Sequence, residues 1–396
     1  MYKHFSIREP CRNCLKTQPG PFLIILIALV LNLGVDLAAG AQEITPIKTS
    51  IGTLKVQKMA GPFDHPWSIA FLPKNQGYLV TERSGTLRLV RKGVISQPIE
   101  RVPEVRAEGQ GGLLDVAIDP DFETTRLIFM TFSEPVSTFT SGTALARARL
   151  IFSGEQARLE DLKVIFRQQP ALESSIHYGS RIIFSNDKKI FMTLGDRGHP
   201  ELVQDLSNHI GKIVRINRDG SSPKDNPFIQ MSGLQPEIWS FGHRNPQGAA
   251  KRPSGEAYFT ISHGAAGGDE INLSQKGRNF GWPEVSYGTH YSGDRFPAAS
   301  RPDVVSPLFY WDPSIAPSGA AFYWGDLFHK WKGNLFVGAL RARTIIRMSL
   351  QGNFIQEKER LISPKFGRVR DVKIGPNGTI WFCTDDPQGA VYRITN

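Results

Sequence analysis

Apolar residues in this chain come in short bursts separated by turn residues, and long helical stripes are scarce. One pattern recurs: an apolar burst, a turn, then a second burst ending near a charged residue. Ser68-Ile-Ala-Phe-Leu-Pro73 is followed by Gly77-Tyr-Leu-Val-Thr-Glu82. Arg181-Ile-Ile-Phe184 is followed by Lys189-Ile-Phe-Met-Thr-Leu-Gly-Asp196. Ala320-Ala-Phe-Tyr-Trp324 precedes Gly333-Asn-Leu-Phe-Val-Gly338, and Asp371-Val-Lys-Ile-Gly-Pro-Asn-Gly378 precedes Thr379-Ile-Trp-Phe-Cys-Thr-Asp385. Weaker copies start at Leu114-Asp-Val-Ala-Ile118 and Glu237-Ile-Trp-Ser240. Such bursts, bounded by Gly, Pro and Asn, read as paired strands. Their spacing of roughly 50 to 80 residues falls within or just above the period of a propeller blade.

Six copies predict an all-β fold, a six-bladed β-propeller with four-stranded antiparallel blades. Radial repetition protects strand edges without a closed barrel. A strand near Ile51-Gly-Thr-Leu-Lys-Val56 is placed to pair with the last blade and close the ring. A sandwich or two sheet domains is the competing arrangement, but no Pro- or Ser-rich linker divides the chain. A content of 38 Gly and 27 Pro in 396 residues suits many short strands joined by turns.

The predicted domain covers residues 42–396. Before it, Arg8, Arg12 and Lys16 precede the apolar run Phe22-Leu-Ile-Ile-Leu-Ile-Ala-Leu-Val-Leu31, and Ala39-Gly40-Ala41 follows. Residues 1–41 therefore read as a secretory signal peptide. The alternative is an anchor, but the run is about half the roughly 20 residues of a span. Export to the periplasm or medium is expected, without stable membrane insertion after cleavage. Cys11 and Cys14 fall in the leader, which leaves Cys383 as an expected buried thiol and no disulfide framework.

Net charge is +10, of which the leader contributes +2, leaving +8 on the mature chain. The basic residues are scattered, and no clustered stripe or known module points to nucleic acid. A mildly basic surface favours anionic partners such as outer-surface lipids or an acidic electron acceptor.

Polar segments interrupt the strands. In Glu108-Gly-Gln-Gly-Gly-Leu-Leu-Asp-Val116, glycines around Gln110 permit a close backbone approach or simply a tight turn. His177, in Ser174-Ser-Ile-His-Tyr-Gly-Ser-Arg181, is a candidate general base or a hydrogen-bonded loop residue. Ser240-Phe-Gly-His-Arg-Asn-Pro-Gln-Gly248 offers the guanidinium fork of Arg244 and the amide of Asn245. Adjacent carboxylates in His263-Gly-Ala-Ala-Gly-Gly-Asp-Glu-Ile-Asn272 suit a hard cation whose shell backbone carbonyls complete, although no EF-hand spacing is present. Trp311-Asp-Pro-Ser-Ile-Ala-Pro-Ser-Gly319 is a rigid loop able to wall a pocket or form a turn. On a strand, Arg368 and Arg370 of Phe366-Gly-Arg-Val-Arg-Asp371 would share a face, toward a polyanion or toward solvent.

Taken in order from Trp67 to Asp385, these segments, together with Asn279-Phe-Gly-Trp-Pro283, closely resemble the glucose/sorbosone dehydrogenase family. Within it they resemble the soluble aldose sugar dehydrogenases that use pyrroloquinoline quinone (PQQ). The resemblance implies PQQ over the central face of the propeller, calcium beside it, and oxidation of aldoses to lactones. His177 matches the base that removes the anomeric proton as hydride passes to the quinone. Arg244 and calcium would stabilise the oxygen that becomes negative. Asn245 and Gln110 match residues lining the quinone site. Carbonyls of Gly264 and Ala265 match those holding the cofactor's calcium, and Glu270 with the Phe280 carbonyl matches a second calcium site. Tyr291, Trp311 and Ser314 would flank cofactor and sugar, and Arg341, Arg368 and Arg370 would meet the PQQ carboxylates.

The chain departs from the family where Tyr-Gly-Ser-Arg follows His177 in place of Gly-Gly-Arg. Ile176 stands where the glucose-oxidising branch has an acidic residue, and Arg341 stands where Lys is common. Expected partners are an aldose and an external electron acceptor, in a monomer or homodimer. Two other readings are a calcium-dependent lactonase-type hydrolase using central carboxylates and His, and a non-catalytic extracellular binding module. The first is opposed by the paired Arg368 and Arg370, the second by His177 and Arg244 occurring together.

Overall fold

The computed structural model describes residues 44–154 and 156–396. The expected leader lies outside them. No helix among the described residues is long and apolar enough to cross a membrane.

Six antiparallel sheets make the fold. Blade 1 begins with the strand Pro66–Phe71, blade 2 with Leu113–Ile118, blade 3 with Ile182–Phe184, blade 4 with Asn245–Lys251, blade 5 with Pro317–Phe322 and blade 6 with Val369–Ile374. Each of these innermost strands packs against that of the next blade, and the sixth packs against the first. The ring is thereby closed.

Closure is completed by the N-terminal strand Gly52–Phe63, which pairs with the last strand, Gly389–Thr395. Ile44–Thr49 then pairs on the outside of Gly52–Phe63. Blades 1 to 5 have the expected four strands, whereas blade 6 has five.

One expected repeat is displaced. Ile238–Phe241 is the outer strand of blade 3, paired with Lys212–Ile216, and does not open blade 4. Blade 4 opens with Asn-Pro-Gln-Gly-Ala-Ala-Lys. Its innermost strand has no large apolar residue, because its polar side chains face a polar centre.

That centre is organised by Arg181, which is buried with relative exposure of 2%. Its guanidinium pairs with Asp115 of blade 2 at 3.2 Å and Asp371 of blade 6 at 3.0 Å. It also donates to the carbonyls of Gln247 in blade 4 and Arg370 in blade 6, and lies 4.1 Å from the Trp67 ring of blade 1. Blade 5 reaches the hub through Gly319, where a Cβ would stand 2.0 Å from Asp371 Oδ1. Only glycine fits there.

Hydroxyls stitch neighbouring blades in a repeated way. Thr81 donates to the Leu114 carbonyl, Thr131 to Ser180 and Thr193 to Pro246. Each is buried, so each needs such a partner. Between blades the packing is apolar, as in the cluster of Leu79, Leu89, Leu113, Met130 and Phe132 shared by blades 1 and 2. Cys383 is buried, its thiol directed at the Pro66 carbonyl at 3.6 Å.

Candidate active site

An up-and-down blade places two kinds of connection on the same end: those between its second and third strands, and those leading into the next blade. Gln110, His177, Arg244, Ser314 and Arg368 precede innermost strands, while Asp196, Gly264, Arg341 and Asp385 follow second strands. The topology therefore gathers them on one face.

His177 stands at the entry to blade 3 with φ of 52°, a left-handed conformation that a side chain adopts at a cost. Its N–H donates to Gln110 Oε1 at 2.9 Å. Its carbonyl lies where a Cβ on Gly195 would come within 1.9 Å. Its ring Nδ1 is 2.6 Å from Asp196 Oδ1. Burial acts to raise the Asp196 pKa, but the hydrogen bond and charge of His177 and the Gly198 N–H bring it below the ordinary carboxylate value. An ionised carboxylate only accepts, so Nδ1 carries the ring proton. Nε2 is left as the nitrogen that can accept, on a side chain that keeps some exposure.

Asp196 is held from its other side by the Trp282 indole, which donates to Oδ2 at 2.8 Å. Neither residue was singled out for a role from the sequence. A signal was present, because Glu82, Asp196 and Asp385 stand at or shortly after the ends of the second strands of blades 1, 3 and 6. Asp385 repeats the arrangement with a second histidine, His65 Nδ1 at 3.0 Å.

Arg244 is buried and donates from Nη2 to the Tyr291 hydroxyl at 3.1 Å. Its guanidinium lies 5.3 Å from the Trp282 ring. Among the described residues no carboxylate pairs with it, and its buried Nε has no partner. Asn245 accepts from the Gly179 N–H at 3.2 Å, and its buried amide nitrogen also has no partner among the described residues. The Asp196 N–H donates to the Arg244 carbonyl at 2.7 Å. His177, Gln110, Arg244, Asn245 and Tyr291 are thus brought together.

Gly264, Glu270 and Phe280 line one small cavity with Arg244, His263 and Trp282, and Ala265 is next in chain to Gly264. Burial pushes the Glu270 carboxyl up to about 7. Its Oε2 accepts from the Asn272 amide at 2.9 Å, while the buried Asn272 Oδ1 finds no donor among the described residues. Burial also pushes His263 down to about 4 and His243 to about 3, so both are neutral. No group of three or more His, Cys, Asp or Glu able to hold a metal occurs among the described residues. A cation here would lean on backbone and amide oxygens beside Glu270.

Ser314 lies beside the Gly264 loop, whereas Trp311 differs from expectation. Ser314 donates to Asp269 Oδ2 at 2.7 Å, the oxygen that also takes the N–H groups of Ile315 and Ala316. The other oxygen, Oδ1, takes the Gly264 N–H at 2.9 Å. Asp269 thereby joins the loops of Gly264 and Ser314. Trp311 lies in the outer strand of blade 4, buried in the core shared with blade 5, its indole on Glu357 at 2.9 Å. The outer strand is the farthest from the axis, so the structure does not bring Trp311 to the site.

The two blade 6 arginines reach one carboxylate by a route other than simple strand alternation. Arg368 precedes the strand, and the register shifts between Val369 and Asp371. Arg370 is buried, bonded to Asp385 at 2.5 Å and to Gln247 Oε1 at 2.6 Å. Arg368 is 3.8 Å from the same Asp385 oxygen and remains half exposed. Arg341 is exposed on the turn after the second strand of blade 5.

A family model for Glucose / Sorbosone dehydrogenase matches residues 63–393. The aldose sugar dehydrogenase YliI of Escherichia coli (strain K12) is 42% identical over 347 residues, 87% of this chain and 93% of that protein. The crystal structure of soluble aldose sugar dehydrogenase from E. coli in its apo form superposes with a TM-score of 0.84, at 41% identity, over 86% of this chain and 99% of that one. The PQQ-bound form of aldose sugar dehydrogenase from Streptomyces coelicolor gives a TM-score of 0.71 at 26% identity, over 89% and 100%. Ring closure, the gathered polar face and these matches together make the chain a member of the glucose/sorbosone dehydrogenase family.

Proposed function

We propose that the protein oxidises aldose sugars at the anomeric carbon to lactones, using PQQ and calcium, with an external acceptor taking up the electrons. One observation carries this reading. His177, its Nδ1 held by Asp196, adjoins the buried Arg244 Nε and Asn245 Nδ2, donors that have no partner among the described residues.

The residues fit the quinone. A buried guanidinium without a carboxylate suits an oxygen-rich anion, and leaving its donors unbonded is costly. Arg244, Asn245 and Gln110 would hold the ring system, with Tyr291 and Ser314 at its edge. Arg341 and Arg368 offer charge to its carboxylates, and Arg370 contributes less because Asp385 already neutralises it. Calcium fits the oxygen donors of Gly264 and Ala265, and a second ion fits Glu270 with the Phe280 carbonyl and the unpaired Asn272 Oδ1. When bound, PQQ supplies the two-electron acceptor for the hydride.

The chain supplies the proton chemistry. Nε2 of His177 takes the proton of the anomeric hydroxyl, and Asp196 stabilises the imidazolium that forms. Arg244 is placed to donate to an oxygen on which negative charge develops. A lactonase-type hydrolase would need free central carboxylates, whereas Asp115 and Asp371 are both occupied by Arg181.

The test is titration of purified apo-protein with PQQ and calcium, followed by dye reduction with a panel of aldoses. Activity requiring both additions supports the reading and ranks the sugars. Absence of PQQ binding in the presence of calcium overturns it.

A further inference from the structure

Arg197 follows Asp196 directly and has no accessible surface. No carboxylate pairs with it among the described residues. Its donors go to backbone carbonyls and one hydroxyl. Nε donates to the Ile176 carbonyl at 2.9 Å and Nη1 to the Ser141 carbonyl at 3.0 Å. Nη2 donates to the Ser174 carbonyl and to Ser141 Oγ at 3.3 Å. The guanidinium carbon lies over the Tyr178 ring, 3.7 Å from its centre. Tyr178 in turn bonds Ser141 Oγ at 2.8 Å and donates to the Ser174 carbonyl at 3.1 Å.

These contacts surround His177 in sequence, at positions 174, 176 and 178. Asp196 grips the ring of His177, and the next residue grips the backbone that leads into it. A left-handed residue persists only where its surroundings over-determine it. On one side the Gly195 backbone crowds the His177 carbonyl. On the other, Arg197 fixes the preceding peptide.

We propose that Arg197 is a positioning residue which locks the 174–178 segment and so aims the His177 ring. This rests on the reading of His177 as the base. Lysine cannot replace it, because a point charge does not reproduce a planar fork directed at four acceptor atoms.

The experiment uses the full chain with Arg197→Lys and Arg197→Met. Hydrogen exchange on the apo-protein, read by mass spectrometry, should rise about tenfold in peptides covering residues 172–179 and stay unchanged in blades 5 and 6. With PQQ and calcium loaded, kcat should fall about 100-fold, as a misplacement near 1 Å does. The sugar KM and the quinone Kd should each move less than about threefold, a split that general destabilisation would not give. Arg197→Lys keeps charge and bulk, so it decides alone if Arg197→Met does not fold. Exchange and kcat within about twofold of wild type in Arg197→Lys would overturn the proposal. His177→Ala separates the two levels: full turnover there removes the base and the purpose of the mount together. An inactive His177→Ala with an unaffected Arg197→Lys sinks the mount alone.

Discussion

His177 Nδ1 lies 2.6 Å from Asp196 Oδ1, so the carboxylate fixes both the tautomer and the direction of the ring. Asp196→Asn keeps the shape but presents an amide that can stabilise the wrong tautomer. The expected result is a fall in kcat of about 10²- to 10⁴-fold with quinone affinity unchanged. Steady-state kinetics on the loaded variant, beside a quinone titration, checks it. Unchanged kcat would remove Asp196 from the mechanism.

Nε of Arg244 and of Arg370 alike lacks a partner among the described residues, but Arg370 is paired with Asp385 and Arg244 with no carboxylate. Arg244→Met should weaken PQQ binding at least about tenfold, the worth of one hydrogen bond to a charged group. Arg370→Met should weaken it less, because Arg370 is already neutralised by Asp385. Fluorescence titration of both apo-variants compares them, and the reverse order would refute the assignment.

The axial hub predicts a large stability effect far from the chemistry. Arg181→Met leaves Asp115 and Asp371 buried without their common cation. The expected loss is about 3–5 kcal/mol. Denaturant unfolding of the apo-protein measures it. A loss under about 1 kcal/mol would mean that the ring does not depend on the hub.

Glu270 gives a pH signature. Its pKa in the folded chain is raised from 4.5 to about 7 by burial. A raised carboxyl contributes stability in full below pH 4.5, and that contribution is lost as pH rises through 7. In chelator, the wild type should therefore lose up to roughly 3 kcal/mol relative to Glu270→Gln across that window. Thermal melts of the two proteins at a series of pH values show the difference. Parallel curves would contradict the burial of an ionisable Glu270. Calcium added near neutral pH should restore the wild type and leave Glu270→Gln little changed.

Much of the fold was legible because blade strands alternate apolar bursts with Gly and Pro turns, a local property of the chain. The exception is instructive. Asn245–Lys251 lacks the apolar pattern because this strand faces the polar axis, and Ile238–Phe241, with the stronger pattern, lies outside it in blade 3. A strand's apolar content reports burial between sheets and not its rank from the axis.

The site was legible as a set of residue types. Polar segments with Gly at blade entries named His177, Gln110, Arg244 and Asn245, and their order along the chain carried the family resemblance. The sequence could not pair His177 with Asp196 or Asp196 with Trp282, since these contacts span 19 and 86 positions. It also could not tell the half-exposed Arg368 from the neutralised Arg370, or see that Trp311 sits in an outer strand.

Repeat, strand content and residue chemistry are therefore properties of the sequence by itself, because each depends on neighbours a few positions away. Which donors remain unpaired, which carboxylate stands behind the histidine, and which arginine is neutralised were decided by tertiary packing, within blade 3 for His177 and Asp196 and within blade 6 for Arg370 and Asp385. Only when strands pair and blades pack does each side chain acquire the partners that set its charge and its direction.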